Sequence, residues 1–113
     1  MCGIFGLAVK AGADFSRDLL RETANDLFVF SESRGKEASG IALQYEKTLA
    51  VYKEPLKASR LIDTPKYKQM FRDVFPALSI GRDGRLTSPA VMMGHSRLVT
   101  SGSRDASHNN QPL

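Results

Sequence analysis

A single cysteine, Cys2, is the only thiol in 113 residues. That excludes a disulfide within the chain and a cysteine-rich metal site, since both need more than one thiolate. Long apolar runs are missing as well. No window approaches the roughly 20 uninterrupted apolar residues of a membrane-spanning helix, and the start lacks the basic stretch and apolar run of a secretion signal. The chain therefore reads as cytoplasmic, with no membrane partner. Contiguous positive charge is scarce too. The formal net charge is +4, yet the basic residues are scattered among acidic ones and no basic stripe alternates with aromatics. A solvated surface explains this better than a nucleic-acid interface.

What is present is the balance of one globular domain, 42% hydrophobic and 25% charged residues, at a length that supports one core. Residues 3–9 (GIFGLAV) form a short apolar run closed by Lys10 and Gly12, which predicts a buried strand starting beside Cys2. From Ser16 the spacing changes: Leu20, Ala24, Leu27 and Phe28 recur at helical intervals. With Ser16 as cap and Asp18 near the positive end of the dipole, a helix over 17–31 is predicted.

Residues 33–40 (SRGKEASG) are polar and glycine-punctuated, so they predict a loop leading into strands at 41–45 and 49–52, joined through Glu46 and Lys47. Thr64 and Pro65 supply the cap and first position of a second helix, with Tyr67, Met70, Phe71 and Val74 on one side and Pro76 as its stop. Residues 81–89 read as a loop, and residues 90–93 open a strand that ends near 94–97. The tail from Thr100 is polar and carries no terminating element. Helices set between groups of strands imply an α+β, sheet-and-helix domain whose later strands lie beyond this chain.

The chemistry concentrates at the start. If Met1 is removed, Cys2 carries a nucleophilic sulfur and a free α-amine on one residue. Free α-amines titrate near ~7.7 to 8.0 and free thiols near ~8.5, so such an amine can take the thiol proton at neutral pH. Nucleophile and base then need no separate histidine, and a strand starting at the next residue would hold the sulfur still. The competing reading is an ordinary small residue near a chain end.

Four motifs in order shift that balance: Met1-Cys2-Gly3-Ile4-Phe5-Gly6; Arg34-Gly35 with Ser39-Gly40-Ile41-Ala42 behind it; Gly94-His95-Ser96-Arg97-Leu98-Val99-Thr100-Ser101-Gly102; and Asn109-Asn110-Gln111-Pro112. Together they resemble the class II glutamine amidotransferases over nearly the whole chain. The resemblance implies an N-terminal-nucleophile hydrolase fold, a four-layer αββα sandwich of which only the N-terminal part is present. It also implies that Cys2 attacks the side-chain amide of glutamine through a thioester, giving glutamate and ammonia for an ammonia-accepting synthase domain or subunit. No cofactor and no metal enter that chemistry.

On the same resemblance Arg97 binds the α-carboxylate of glutamine, a role suited to a planar fork of donors. Thr100 adds a hydroxyl, Gly102 leaves room for backbone approach, and Arg34 and Gly35 line the pocket near Cys2. His95 reads as a hydrogen-bonding structural residue, since the amine already serves as base, and His108 as a solvated or pocket-rim residue.

Several family members carry an aromatic residue at the position of Leu98, and some a histidine at that of Ser101. The 64–75 helix falls in a stretch longer than in compact members and reads as an insertion. The family's Asn-Gly oxyanion hole and amine-binding aspartate fall downstream of Gln-Pro, beyond Leu113. Loss of one oxyanion donor typically costs ~10² to 10³ in rate, so weak or no turnover is expected of these residues alone. Unpaired edges and an open core also predict aggregation. Two further readings stay open: a catalytically silent glutamine-binding or regulatory module of the same fold, and an N-terminal-cysteine hydrolase of another amide.

Overall fold

The computed structural model describes residues 2–76 and 85–98. They form an α+β domain: a four-stranded antiparallel sheet of order β1-β4-β2-β3, with β1 at Gly3–Val9, β2 at Ala38–Tyr45, β3 at Thr48–Glu54 and β4 at Ala90–Arg97. Three helices, α1 (Arg17–Ser31), α2 (Ala58–Leu61) and α3 (Pro65–Val74), together with a 3-10 turn at Glu32–Arg34, complete it.

Helix α1 starts where its cap requires. The Ser16 side chain accepts from the Leu19 N–H, and Leu20, Ala24 and Phe28 form the buried stripe. Helix α3 repeats the device with Thr64 accepting from the Tyr67 N–H and Pro65 in the first turn, and it buries Tyr67, Met70, Phe71 and Val74. The stretch read as an insertion therefore helps to build the core.

Strand β2 starts at Ala38, three residues ahead of the predicted 41. The polar, glycine-containing run is a strand because it is paired on both sides: Ser39 and Gly40 face Ser96 and His95 of β4, and Glu54 and Lys53 of β3. Ser39 is 1% exposed, and its hydroxyl donates to the Leu56 carbonyl at 2.7 Å, so its burial leaves no unmet donor. Strand β3 likewise extends past the predicted 49–52 at both ends, and the β2–β3 hairpin turns at Glu46, whose φ is 54°. Short α2 carried no periodic signal.

The sheet has two unlike faces. Cross-strand rows such as Phe5–Gly94–Ile41–Tyr52 and Leu7–Met92–Leu43–Ala50 face the helices. Aromatic rings tie these layers together: Phe5 meets Phe28 edge-on at 4.8 Å, Phe28 meets Tyr67 at 6.1 Å, and Tyr67 meets Phe71 at 5.2 Å. Each such pair is worth about 0.5–1.5 kcal/mol beyond its burial. The Tyr67 phenol donates to Asn25 Oδ1 at 2.8 Å, and burial pushes its titration upward.

The opposite face carries Ile4, Leu49, Val51, Val91 and Met93, all between 46% and 68% exposed. That is an apolar surface on a sheet whose other side is already packed. No helix of the described residues is long and apolar enough to cross a membrane.

Candidate functional site

Pairing of β1 with β4 decides where Cys2 lies. Gly3 opposes Ser96, which places the residue before β1 beside the residues that end β4. The Cys2 thiol donates to the Leu98 carbonyl at 3.7 Å. Arg97 is 7% exposed, so its side chain is held within the protein rather than in bulk water.

The Arg34–Gly35 loop closes on the same place. A Cβ on Gly35 would lie 2.3 Å from the Arg97 carbonyl carbon and 2.4 Å from the Leu98 nitrogen, so only a glycine fits at this approach of two backbones. The Gly35 N–H donates to the Glu32 carbonyl at 3.1 Å, closing the 3-10 turn, and the Glu37 N–H donates to the Arg97 carbonyl at 3.2 Å, tying the far end of the loop to β4. Gly3 in turn lies under Ser31 and Arg34, where an added Cβ would meet their atoms at 3.0–3.1 Å. The hydroxyls of Ser31 and Ser96 are 2.6 Å apart, joining the end of α1 to β4.

Four of the residues marked in the sequence, Cys2, Arg34, Gly35 and Arg97, thus gather at one end of the sheet. Thr100 and Gly102, with His108 and the 109–112 motif, lie outside the described residues. A hollow of about 330 Å³ opens beside Cys2, walled by Ile4, Phe5, Leu27 and Phe30, with Ser31 and Arg34 at its polar side. A second, of about 300 Å³, is formed by residues 33–37 and Leu98. Exposed Arg34 borders both.

Sequence reasoning missed three features here. Phe30 is 76% exposed; it stands off the apolar stripe of α1, and an aromatic off its stripe was the available signal. His95, read as a hydrogen-bonding structural residue, is 4% exposed, yet its buried Nδ1 has no hydrogen-bond partner. Burial and then the Arg97 charge hold its titration below the ordinary value of 6.5, so the ring is neutral at pH 7. A buried polar atom left unsatisfied costs about 1–3 kcal/mol.

The third feature is an anchor for the loop. The Glu32 carboxylate accepts from the Ser59 hydroxyl at 2.7 Å and the Ser59 N–H at 3.2 Å, holding the 3-10 turn to α2. The Ser59 hydroxyl is the main cause that holds Glu32 below its ordinary value of 4.5, opposed by burial and helped by the Ser59 N–H, Lys57 and Lys36. A carboxylate depressed in the folded state contributes stability that is fully present above its unfolded value and is lost as pH falls through its folded one. Ser59→Ala is expected to cost about 1 kcal/mol at pH 7, allowing for partial exposure. Denaturant midpoints of the two proteins should converge below pH 4.5; a gap that stays constant into acid would show that the carboxylate is not what the hydroxyl stabilises.

Among the described residues no three His, Cys, Asp or Glu side chains gather as a metal site. Comparison with family models, curated proteins and solved structures returns no match.

Proposed function

We propose that this chain is the nucleophile-bearing part of a class II glutamine amidotransferase domain, which hydrolyses the side-chain amide of glutamine to glutamate and ammonia. The observation that carries the reading is the meeting of Cys2, the Arg34–Gly35 loop and buried Arg97 at one end of the sheet, with Cys2 and Leu98 in contact across 96 positions of sequence. In the four-layer αββα arrangement of this reading, a second sheet covers the face that carries Ile4, Val51, Val91 and Met93, and the apolar character of that face supports it.

The chemistry follows from the terminus. With Met1 removed, the α-amine of Cys2 takes the thiol proton and the sulfur attacks the amide carbon of glutamine. The tetrahedral adduct collapses to a thioester, and its nitrogen leaves as ammonia with the proton returned by the amine. Water, deprotonated by the same amine, then cleaves the thioester to give glutamate and restores the thiol. Arg97 holds the α-carboxylate as a two-pronged donor, and Arg34 and Gly35 shape the wall. The ammonia passes to a synthase domain or subunit.

The test is covalent labelling of Cys2 by a glutamine-like electrophile, read by mass spectrometry together with loss of Met1. L-glutamine should protect against labelling, and Arg97→Lys should weaken that protection by about tenfold or more, since a lysine cannot present the paired donors. Glutamine binding by a chain that retains Met1 and is not labelled would favour the silent regulatory module instead.

One observation favours a second reading, hydrolysis of another amide. The walls of the Cys2 hollow are Ile4, Phe5, Leu27 and Phe30, a lining that suits an apolar acyl group better than a polar side chain. Protection by an apolar acyl amide and none by glutamine would establish it.

A further inference from the structure

Helices α1 and α3 meet over a hollow of about 300 Å³. Its walls are Arg21 and Asn25 from α1, Ile62 at the end of α2, and Tyr67 and Lys68 from α3. Arg21 and Asn25 sit one helical turn apart, so they share one side of α1 beside its buried stripe. The hollow is separate from the one at Cys2. Arg21 lies about 15 Å along α1 from Ser31, which borders the Cys2 hollow, by the rise of a helix.

Donors dominate the polar groups that face this hollow. Tyr67 is fully buried and donates its phenol to Asn25 Oδ1 at 2.8 Å. That bond engages the acceptor end of the amide and orients it, leaving the Asn25 NH2 to donate elsewhere. Neither Arg21 nor Lys68 takes part in an ion pair or hydrogen bond among the described residues, and none of those that line the hollow is an Asp or Glu. The Arg21 charge reaches the site, since it opposes the upward push that burial gives the Tyr67 titration. Two cations on one hollow repel each other, and a bound anion relieves that repulsion. A solvated surface charge needs neither an oriented amide nor a walled hollow.

We propose that this hollow is a binding site for a phosphate dianion, either free or as the monoester of a small molecule. Arg21 offers a fork of paired donors, Lys68 a second positive charge, and Asn25 a neutral N–H. A phosphate monoester carries about −1.5 to −2 charges at pH 7, which matches two cations; a single carboxylate would leave one of them uncompensated. Ile62 supplies an apolar wall for the rest of a small ligand. The inference goes beyond the glutamine reading and does not rest on it.

The experiment is titration calorimetry on the full chain with inorganic phosphate, phenyl phosphate and phenyl sulfate. Both phosphates are expected to bind, and phenyl sulfate, a monoanion of similar shape, about tenfold more weakly. Tighter binding of phenyl phosphate than of inorganic phosphate assigns the site to a monoester, and equal or weaker binding assigns it to the free ion. Arg21→Gln is expected to weaken phosphate binding about tenfold, as for one hydrogen bond to a charged group. Asn25→Asp keeps the acceptor that Tyr67 uses but puts a carboxylate into the hollow, and it should abolish binding. Lys47→Gln, which removes an exposed charge at the β2–β3 turn, should leave binding unchanged. Circular dichroism of each variant checks that it folds.

Absence of phosphate binding, equal affinity for phenyl sulfate, or equal effects of Arg21→Gln and Lys47→Gln would overturn the inference. So would phosphate binding that survives Asn25→Asp. None of these readouts involves Cys2 or glutamine, so failure here leaves the proposed function standing.

Discussion

Replacing Gly35 with alanine is expected to destabilise the protein by about 3 kcal/mol, the upper part of the range for forcing extra atoms into a packed site, and to displace the loop that carries Arg34. The added methyl would sit 2.3 Å from the carbonyl carbon of Arg97, 2.4 Å from the Leu98 nitrogen and 2.6 Å from the Arg97 oxygen. All three are backbone atoms in or just beyond β4, and β4 is paired to β1 on one side and β2 on the other. No rotamer change can relieve the contact. The loop has to retreat, and the bonds from Gly35 to Glu32 and from Glu37 to Arg97 are lost with it.

Gly6→Ala is the matched control. Its methyl would meet only the Met92 carbonyl, at 3.4 Å, an ordinary contact, and alanine loses less backbone freedom on folding than glycine. Urea unfolding should show a lower midpoint at constant slope for Gly35→Ala and little change for Gly6→Ala. Equal midpoints would mean that the loop does not rest on β4, and that Arg34 is not held beside Cys2.

How far the sequence disclosed this arrangement depends on the range of the interaction. Local patterns were legible: the stripe of Leu20, Ala24 and Phe28 and the Ser16 cap give α1, and Thr64-Pro65 with Tyr67, Met70, Phe71 and Val74 gives α3. Each depends on neighbours within a turn or two. The start of β2 was hidden because Ala38, Ser39 and Gly40 have little strand propensity of their own; pairing on both sides overrides it. Periodicity is equally silent on strand order, so it could not place Arg97 near Cys2. The four-motif resemblance raised that expectation, and the β1–β4 pairing brings their backbones together. The Glu32–Ser59 anchor spans 27 positions and rests on two unremarkable residues, so no pattern marked it. His95 was legible only in part for a related reason: its type says that it can hydrogen-bond, and only the fold shows that it is buried with Nδ1 unpartnered.

The largest expected effect comes from the amine rather than the sulfur. If the α-amine of Cys2 is the base, a chain in which Met1 is retained keeps its thiol, its fold and its contact with the Leu98 carbonyl, yet loses the group that takes the proton. An amide nitrogen is not a base at any relevant pH, and general-base assistance typically supplies ~10² to 10⁴ in rate. Labelling of Cys2 by a glutamine-like electrophile should therefore slow by about that factor in a variant whose second residue blocks removal of Met1, or in a chain with an added N-terminal extension. Cys2→Ser distinguishes loss of the base from loss of the nucleophile: it retains the amine and should bind glutamine while failing to label. An extended chain that labels as fast as the processed one would show that another group takes the proton, and the terminal amine would lose its place in the mechanism.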